Sequence, residues 1–534
     1  MVREVIDELG RGVGVALPPV RVVADEMPSP RTAFRVVMAA TAVVGAATAA
    51  VGLLARQRHG GELDVQVDAR EAWAAFLDER YFQVDGVRPA VWGDLSGDYR
   101  TADGWVRLHC NFGHHRDAAL RALGLGPGAG RAEVEAACGH RGAVEIEDAV
   151  IAEQGCAAAM RSRAEWAEHP QGHAVAGEPL IGVHRLDGGG GPVHAGGEGQ
   201  DAGRGGQDVG RGGGEVRRGG RDDLRGGQED GLGERDGREG GGVVRELDGV
   251  RVLDLTRVIA GPVAGRVLAG FGAEVLRVGA AHLPEVDGLV LCTGFGKRSC
   301  ELDLRAEEGR SALRRLVAGA DVVVRGYRPG ALERWGFGVE EISAARPGVV
   351  CVDVSAYGGQ GPWGTRRGFD SLVQMVSGIA HEGGGGVRPV PLPAQVLDHA
   401  TGWLAALGAV AGLSRRRAEG GSWHVEVSLA QTAHWLDRLG REVPGKDVAL
   451  GGSMVERAKR GGSMAEHVNP GGSAAEHVGR GGSMAADVDL GDLTQEMESV
   501  SGRLTYVRQP GMINRRRPYW ASPPPLRGEH PPSW

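Results

Sequence analysis

Asp398 is the side chain best placed for covalent chemistry, because it lies where an apolar, helix-forming segment begins. Aspartate is a preferred N-cap residue, and most aspartates at such a position only cap their helix. The positive end of the helix dipole also stabilises an ionised carboxylate, which can act as a nucleophile. Both roles are open. His399 follows directly, but neighbouring residues of a helix point in different directions, so adjacency alone does not make an acid–base pair.

A second group of reactive side chains lies in the segment RLHCNFGHHRD, which contains His109, Cys110, His114 and His115. Imidazole nitrogens and thiolates are ligands for zinc. However, the spacing and the number of these residues match no standard zinc pattern. We therefore predict no metal site.

The segment that contains Asp398 has a counterpart 360 positions earlier. Residues 40–69 read ATAVVGAATAAVGLLARQRHGGELDVQVDA, and residues 400–429 read ATGWLAALGAVAGLSRRRAEGGSWHVEVSL. Without gaps, both predict an apolar helix, an arginine cluster, a Gly-Gly turn and an alternating strand. The residue equivalent to Asp398 is Met38, whose thioether cannot act as a carboxylate nucleophile. The sequence thus predicts one active site per chain.

The first of these two helices includes residues 36–55, a charge-free run of about membrane-spanning length. The run is rich in alanine and glycine rather than in leucine and isoleucine, and its counterpart is followed by a strand and further globular sequence. We interpret both segments as buried helices and predict no membrane association.

Composition narrows the class of protein. The chain has 534 residues, enough for two or three domains, and a formal net charge of -8, which does not suggest binding to nucleic acid. Its six cysteines include no C-x-x-C pair, so neither a zinc ribbon nor a disulfide framework is indicated. The N-terminal MVREVIDELGRG lacks the pattern of a signal peptide, and we expect a reducing, cytoplasmic location.

Residues 245–440 carry the strongest fold signal. Apolar strand candidates alternate with helical patterns such as GRSALRRLVAGA; the strand candidates are VRVLDL, EVLRV, SCELDL, DVVVRG and VVCVDVS. This alternation predicts an α/β fold with a parallel sheet covered on both faces. The turn after VRVLDL is not G-x-G-x-x-G, so it does not support a nicotinamide site, although such a turn can accept a phosphate on its free N–H groups.

The remaining sequence divides by composition. In residues 86–186, YRTADGWVRLHC predicts a hairpin that turns at Asp103-Gly104, and HHRDAALRALGL and VEIEDAVIAEQGCAAAMRS predict helices. A Gly/Arg/Asp/Glu tract lacks the apolar surface needed to fold, and a later stretch repeats every ten residues. The expected divisions are a leader (1–28), a helix–strand–helix unit (29–85), a small α/β domain (86–186), a disordered linker (187–244), the large domain (245–440), a decapeptide insertion (441–490) and a tail (491–534).

From Leu247 onward the chain resembles the class III coenzyme A transferase family, the carnitine/formyl-CoA transferase group. The runs that carry the resemblance occur in family order over about 190 residues; they are LDGVRVLDLTRVIAGPVAGRVLAGFGAEVLRV, GFGKRSCELDLRAEEGR, ADVVVRGYRPGALERWGFG, RRGFDSLVQMVSGIAHE and LPAQVLDHATGWLAALGAVAGL. The first half resembles the family out of order. The resemblance implies a tandem-like form, in which a partial, inactive large-domain copy at 29–85 precedes a small domain and a complete, Rossmann-like catalytic copy.

The same resemblance implies a chemistry. Asp398 would attack an acyl-CoA thioester and later carry CoA as an aspartyl thioester, which a carboxylic acid acceptor then collects. Acyl-CoA and the acid would be substrates, with no permanently bound cofactor. Because the family is built from interlocked subunits, a pseudo-dimer within one chain or a homodimer is implied. The positions aligned with CoA-contacting residues are Val258, Ile259, Leu302, Arg305, Tyr327, Arg334 and Arg367.

Two alternatives remain open. A racemase branch of the same fold acts on 2-methylacyl-CoA and uses a histidine where this chain has Phe369, followed by Asp370. The absence of that histidine favours transfer over racemisation. The glycine-rich linker and the decapeptide array are foreign to the family pattern, so a catalytically inactive, CoA-binding scaffold is the other alternative.

Overall fold

The computed structural model of the chain describes residues 1–24, 28, 30–186, 244–442 and 492–534. The helices are α1 (Val2–Gly12), α2 (Val36–His59), α3 (Ala69–Ala75), α4 (Asp78–Tyr81), α5 (Gly113–Ala122), α6 (Arg131–Gly139), α7 (Ala143–Ala152), α8 (Arg163–Glu168), α9 (Pro170–Gly177), α10 (Ala260–Gly270), α11 (Asp287–Thr293), α12 (Glu307–Ala318), α13 (Val339–Ala345), α14 (Asp370–Val376), α15 (Ile379–Gly383), α16 (Val396–Glu419) and α17 (Leu429–Arg438). The strands are β1 (Val20–Val23), β2 (Val65–Asp68), β3 (Gln83–Val84), β4 (Gly97–Arg100), β5 (Trp105–Leu108), β6 (Ala157–Ala159), β7 (Gly182–Arg185), β8 (Arg251–Leu255), β9 (Glu274–Gly279), β10 (Lys297–Glu301), β11 (Val322–Arg325), β12 (Val350–Ser355), β13 (Trp423–Ser428), β14 (Thr494–Ser499), β15 (Gly502–Val507) and β16 (Met512–Ile513).

The largest sheet has the strand order β10-β9-β8-β11-β12-β13-β7. Its first six strands are parallel, and β7 runs antiparallel at the edge. Successive residues of a strand face opposite sides of a sheet, so Val252 packs in the core that contains α10 and α16, and Leu253 packs in the core that contains α12. Both faces are covered, which confirms the predicted Rossmann-like α/β fold.

A second, smaller sheet repeats the edge of the first. β2 pairs in parallel with β1 and antiparallel with β16, in the same way that β13 pairs with β12 and β7. β1 is therefore the counterpart of β12. Residues 1–28, expected to be a leader, contain both α1 and β1. Val5, Ile6 and Leu9 form a buried face of α1.

The two copies exchange their edge strands. β7 follows the small domain of the first copy and adds to the second copy's β13, whereas β16 lies after the second copy and adds to the first copy's β2. The C-terminal residues expected to be a tail thus contribute β14, β15 and β16. The two copies are interlocked within one chain.

The two long apolar helices, α2 and α16, pack against each other. By length and composition both are able to cross a membrane, but their most apolar windows are completely buried in the protein. The interpretation of both segments as buried helices is confirmed. α16 also approaches α10 closely, because a Cβ atom at Gly402 would lie only 2.6 Å from the carbonyl oxygen of Ala260.

The small domain contains the sheet β4-β5-β6 and the helices α5 to α7. The predicted hairpin is confirmed, with Arg100 opposite Trp105 at its end. The second predicted helix is right only as far as Ala152, because Gln154 takes a left-handed backbone with φ of 65° and the chain then enters β6. Except for residues 244, 441 and 442, the predicted linker (187–244) and insertion (441–490) lie outside the described residues.

Candidate active site

A cavity of about 470 Å³ lies at the carboxyl ends of the parallel strands. In open parallel sheets, ligands bind at this edge because the turns after several strands meet there. Most of the lining comes from the segments that follow β8, β9, β10, β11 and β12 and from the first turn of α16. The small domain closes the cavity with Phe112, His114 and His115.

All eight residues expected to act as nucleophile or to contact CoA line this cavity. They are Val258, Ile259, Leu302, Arg305, Tyr327, Arg334, Arg367 and Asp398. Five different segments of the large domain contribute them, so the fold brings together residues up to 140 positions apart in sequence. Their individual roles in catalysis and in binding remain predictions.

The position of Asp398 in the sequence suggested that it caps its helix, but in the structure it does not. α16 begins at Val396, its N-cap residue is Gln395, and Asp398 is the third helical residue. The carboxylate that satisfies the helix start comes from elsewhere: Oδ2 of Asp370 accepts hydrogen bonds from the backbone N–H of Leu397 at 2.8 Å and of Asp398 at 3.0 Å. The Asp398 side chain is left to face the cavity.

Asp370 is the main site residue whose role the sequence did not reveal. Its side chain is 1% exposed, and its Oδ1 accepts a hydrogen bond of 2.5 Å from Nε2 of Gln374. Burial raises the pKa of Asp370 to about 6, although the hydrogen bonds from Asp398, Gln374 and Leu397 work in the opposite direction. Asp370 and Asp398 are 28 positions apart in sequence, and their contact is created by the packing of α14 against α16.

The electrostatic surroundings make Asp398 unusually basic. Burial raises the pKa of Asp398 well above its ordinary value, and the nearby charges of Asp370 and Glu79 raise this pKa further. Asp398 is 7% exposed, so little water compensates for these effects. A more basic carboxylate holds its proton to higher pH, and once ionised it is the stronger nucleophile.

Replacing Asp370 by alanine should destabilise the protein in a pH-dependent way. The change leaves two buried N–H groups without an acceptor, for an expected loss of about 2–3 kcal/mol in the free energy of unfolding. Because the folded-state pKa of about 6 lies above the ordinary value of 3.8, the carboxyl stabilises most at low pH. That contribution declines as pH rises through about 6.

Urea denaturation at about pH 5 and pH 8 measures this difference. Asp68→Ala is the matched control, because Asp68 caps α3 by accepting from the N–H groups of Arg70 and Glu71 at a less buried site. We expect it to lower the free energy of unfolding by about 1 kcal/mol. A loss for Asp370→Ala no greater than for Asp68→Ala at the lower pH would contradict the proposed cap.

The turn between β8 and α10 is held in a rare conformation. Val258 has φ of 72°, a left-handed value that is unfavourable by about 1–3 kcal/mol for a β-branched residue. The turn is anchored from beneath, since Thr256 donates to the buried carboxylate of Asp254, which also pairs with Lys297 at 2.7 Å. Such local strain, fixed by its surroundings, is typical of binding sites.

Positive charge dominates the cavity wall. Six arginines line the cavity, against the two carboxylates of Asp303 and Asp398; the arginines are Arg257, Arg305, Arg328, Arg334, Arg366 and Arg367. Arginines bind phosphate groups well because the guanidinium is permanently charged and presents forked donors. Arg257, Arg328 and Arg366 were missed from the sequence, because an arginine in a turn has no distinguishing local pattern.

These arginines differ in their availability. Arg305 pairs with Asp303 at 2.7 Å, and Arg366 pairs with Glu147 of the small domain at 2.7 Å. Arg328 has no ion pair with any of the residues that the structure describes. Arg366 therefore holds the small domain in place, whereas Arg328 is available to an anionic ligand.

The histidines of the small domain form an aromatic wall rather than a metal centre. The ring of His109 stacks on that of Phe369 at 3.6 Å with an angle of 3°. Burial, followed by the charges of His114 and nearby arginines, lowers the pKa of His115 to about 3, so its imidazole is neutral at physiological pH. Across the described ranges, no group of three or more His, Cys, Asp or Glu is arranged to hold a metal ion.

Comparison with known proteins adds independent information. Residues 20–186 and 247–443 match the model of CoA-transferase family III. The chain is 34% identical over 206 residues to a probable fatty acyl-CoA transferase of Mycobacterium tuberculosis, covering 35% of this chain and 52% of that protein. It is 37% identical over 201 residues to an acetyl-coenzyme A transferase of Hypoxylon pulicicidum, covering 36% and 34%.

A third relative is a succinyl-CoA–D-citramalate CoA-transferase of Chloroflexus aurantiacus, with 35% identity over 198 residues that cover 35% of this chain and 49% of that protein. The chain thus spans about half or less of the length of these relatives. The two matched ranges of the family model, in contrast, extend over both copies and the small domain.

Proposed function

Because the chain belongs to CoA-transferase family III, we propose that it transfers coenzyme A from an acyl-CoA thioester to a carboxylic acid, with Asp398 as the nucleophile. The observation that carries this proposal is a basic carboxylate on the wall of an arginine-lined cavity. The arginines suit the phosphates of CoA, and the carboxylate suits its thioester.

The proposed reaction begins with attack of an Asp398 oxygen on the thioester carbonyl carbon. The C–S bond breaks, CoA leaves as a thiolate, and a mixed anhydride remains. The thiolate then attacks the aspartyl carbonyl carbon of the anhydride and releases the donor acid as a carboxylate. Asp398 now carries CoA as a thioester, and no oxidant or reductant is required.

The second half repeats these steps with the acceptor. Its carboxylate attacks the aspartyl thioester, so that the thiolate leaves and a new mixed anhydride forms. The thiolate attacks the acceptor's carbonyl carbon, which yields the new acyl-CoA and regenerates the Asp398 carboxylate. We propose acyl-CoA and carboxylic acids as the substrate classes, in keeping with the names of the relatives.

The interlocked copies support a further part of the proposal, that one chain acts as a pseudo-dimer. The second copy would supply the nucleophile and the arginine wall, and the small domain attached to the first copy would supply the aromatic wall. The exchange of β7 and β16 between the copies ties these parts together.

The direct test is to trap the aspartyl intermediate. The protein is incubated with a panel of acyl-CoA thioesters in the presence of hydroxylamine, and the modified residue is mapped by mass spectrometry. We expect a hydroxamate at Asp398. An unmodified Asp398 across a broad panel would overturn the proposal. Exchange of the acyl α-hydrogen in deuterated water without an acceptor acid would favour a racemase instead.

Arg328→Gln should weaken the binding of acyl-CoA without slowing the chemistry. Losing one charge-assisted hydrogen bond to a phosphate raises the expected KM for acyl-CoA about 10-fold. The expected kcat is within about twofold of wild type, because the interaction is present in both ground and transition states. Steady-state kinetics with varied acyl-CoA measures both constants.

Arg314→Gln is the control, because Arg314 is also exposed but pairs with Glu307 on α12, outside the cavity. It should leave KM unchanged. Equal KM values for Arg328→Gln and Arg314→Gln would rule out a contact between Arg328 and CoA.

A further inference from the structure

A largely buried carboxylate from the first copy holds the helix that carries Asp398. Glu79 lies on α4, and its Oε2 is 2.8 Å from Nε2 of His399 on α16. The His399 side chain is 3% exposed and that of Glu79 is 11% exposed. The ring of Phe76, just before α4, stacks on the imidazole at 5.4 Å. The contact thus joins the first copy to the residue next to Asp398.

The neighbouring residue on α4 fixes the same helix to a second part of the large domain. Asp78 forms a buried ion pair with Arg266 of α10, and Sγ of Cys292 lies 3.2 Å from its Oδ2. Asp78 and Glu79 together therefore bind α10 and α16, two helices whose N-terminal turns line the cavity. Two adjacent carboxylates on so short a helix leave α4 little freedom to shift.

We propose that Glu79 is a positioning residue of the active site, which orients the first turn of α16 through its hydrogen bond with His399. This inference rests on the proposed function of Asp398. It makes the first copy part of the second copy's active site, although no residue before Phe112 lines the cavity. A copy without a nucleophile is then still required for activity.

Glu79 also acts on Asp398 through its charge. The acidic groups that face Asp398 are Asp370 on α14 and Glu79 on α4, and both raise its pKa. Burial would raise the pKa of Glu79 itself, but the charge and hydrogen bond of His399 outweigh burial and lower it, so Glu79 is ionised at neutral pH. Removing this negative charge should lower the pKa of Asp398.

Two substitutions separate the charge from the contact. Glu79→Gln keeps an oxygen that can accept from His399 but is neutral, so the acid limb of kcat/KM should move to lower pH. We expect the rate at about pH 5, relative to that at about pH 8, to rise by about threefold or more. Glu79→Ala also removes the contact, and we expect kcat to fall by about 10-fold or more because the nucleophile is misplaced.

The KM for acyl-CoA shows whether Glu79 acts by positioning Asp398 or by helping to bind the substrate. The arginine wall is untouched in both variants, so KM should stay within about twofold of wild type. Glu71→Gln is the matched control, because Glu71 is also a buried, ion-paired glutamate of the first copy but faces Arg508 and Arg517. It should leave the pH profile and kcat unchanged.

The outcomes are distinct. Suppose that both Glu79 variants have the pH profile and kcat of the wild type, and that hydroxylamine still traps Asp398. This result would overturn the role of Glu79 but would leave the proposed transferase function intact. Failure to trap Asp398 in the wild-type protein would overturn the transferase function itself, and with it the role of Glu79. If Glu79→Ala does not fold, Glu79→Leu tests the contact instead, because leucine fills more of the site but cannot accept a hydrogen bond from His399; a wild-type kcat in that variant would overturn the positioning role.

Discussion

Asp398→Asn should abolish CoA transfer, with a fall in kcat of at least about 10³-fold. The amide oxygen of asparagine is a much poorer nucleophile than a carboxylate, so neither the first anhydride nor the aspartyl thioester can form. The arginine wall is unaffected, and binding of acyl-CoA should therefore persist. Transfer is measured by chromatography of the acyl-CoA products, and binding by calorimetry.

Asp287→Asn is the control for this experiment, because Asp287 is an exposed acid at the start of α11 and does not line the cavity. It should retain full activity. Transfer by Asp398→Asn at a rate within about 10-fold of wild type would contradict a covalent role.

Asp398→Asn should be more stable than the wild type. A gain in stability would show that its loss of activity is not caused by a loss of folding. The folded-state pKa of Asp398 lies well above its ordinary value, owing to burial and to Asp370 and Glu79. The wild-type carboxyl therefore destabilises the fold increasingly as pH rises above its ordinary pKa towards its folded one. The neutral amide of asparagine carries no charge to bury and is not repelled by Asp370 and Glu79. An inactive but stabilised variant is the behaviour expected of a residue kept for function.

The sequence was most informative where the signal is local. Apolar strands such as β8 and β11, which pack on both faces, have near-continuous hydrophobic runs, and the hairpin of β4 and β5 has a recognisable turn. β10 begins at Lys297, earlier than the predicted SCELDL, and ends at Glu301. Such boundaries depend on pairing with β9 rather than on the residues of β10 alone.

Contacts between residues distant in the sequence could not be predicted from the sequence. Asp370 and Glu79 act on α16 from 28 and 320 positions away, and nothing near either residue distinguishes it from a surface acid. The edge strands β1 and β16 have four and two residues, too few for a hydrophobic pattern. Their pairing with β2 is decided by the interlocking of the two copies. The cavity residues, in contrast, followed from resemblance to a family.

Met38→Asp tests whether the first copy has lost only its nucleophile or its whole site. Met38 is the third residue of α2, as Asp398 is of α16, and it is 6% exposed. A carboxylate introduced there is buried without an identified partner, so we expect the free energy of unfolding at neutral pH to fall by about 2–5 kcal/mol. Protonation should reduce this loss at low pH. Met38→Leu is the control, with an expected change below about 1.5 kcal/mol.

Hydroxylamine trapping should still label one carboxyl per chain in Met38→Asp, at Asp398. In the described part of the chain, the first copy has two parallel strands, β1 and β2, where the second copy has six. Among its described residues there are no counterparts of β8, β9, β10 and β11, whose turns hold the residues expected to bind CoA. A helix dipole and a carboxylate are present in both copies of this variant, but within the described ranges the arginine-lined wall that can bring a thioester to the carboxylate belongs to the second copy alone. A second label at position 38 would show that the helix start alone is sufficient, and that the arginine-lined cavity is not required for the reaction.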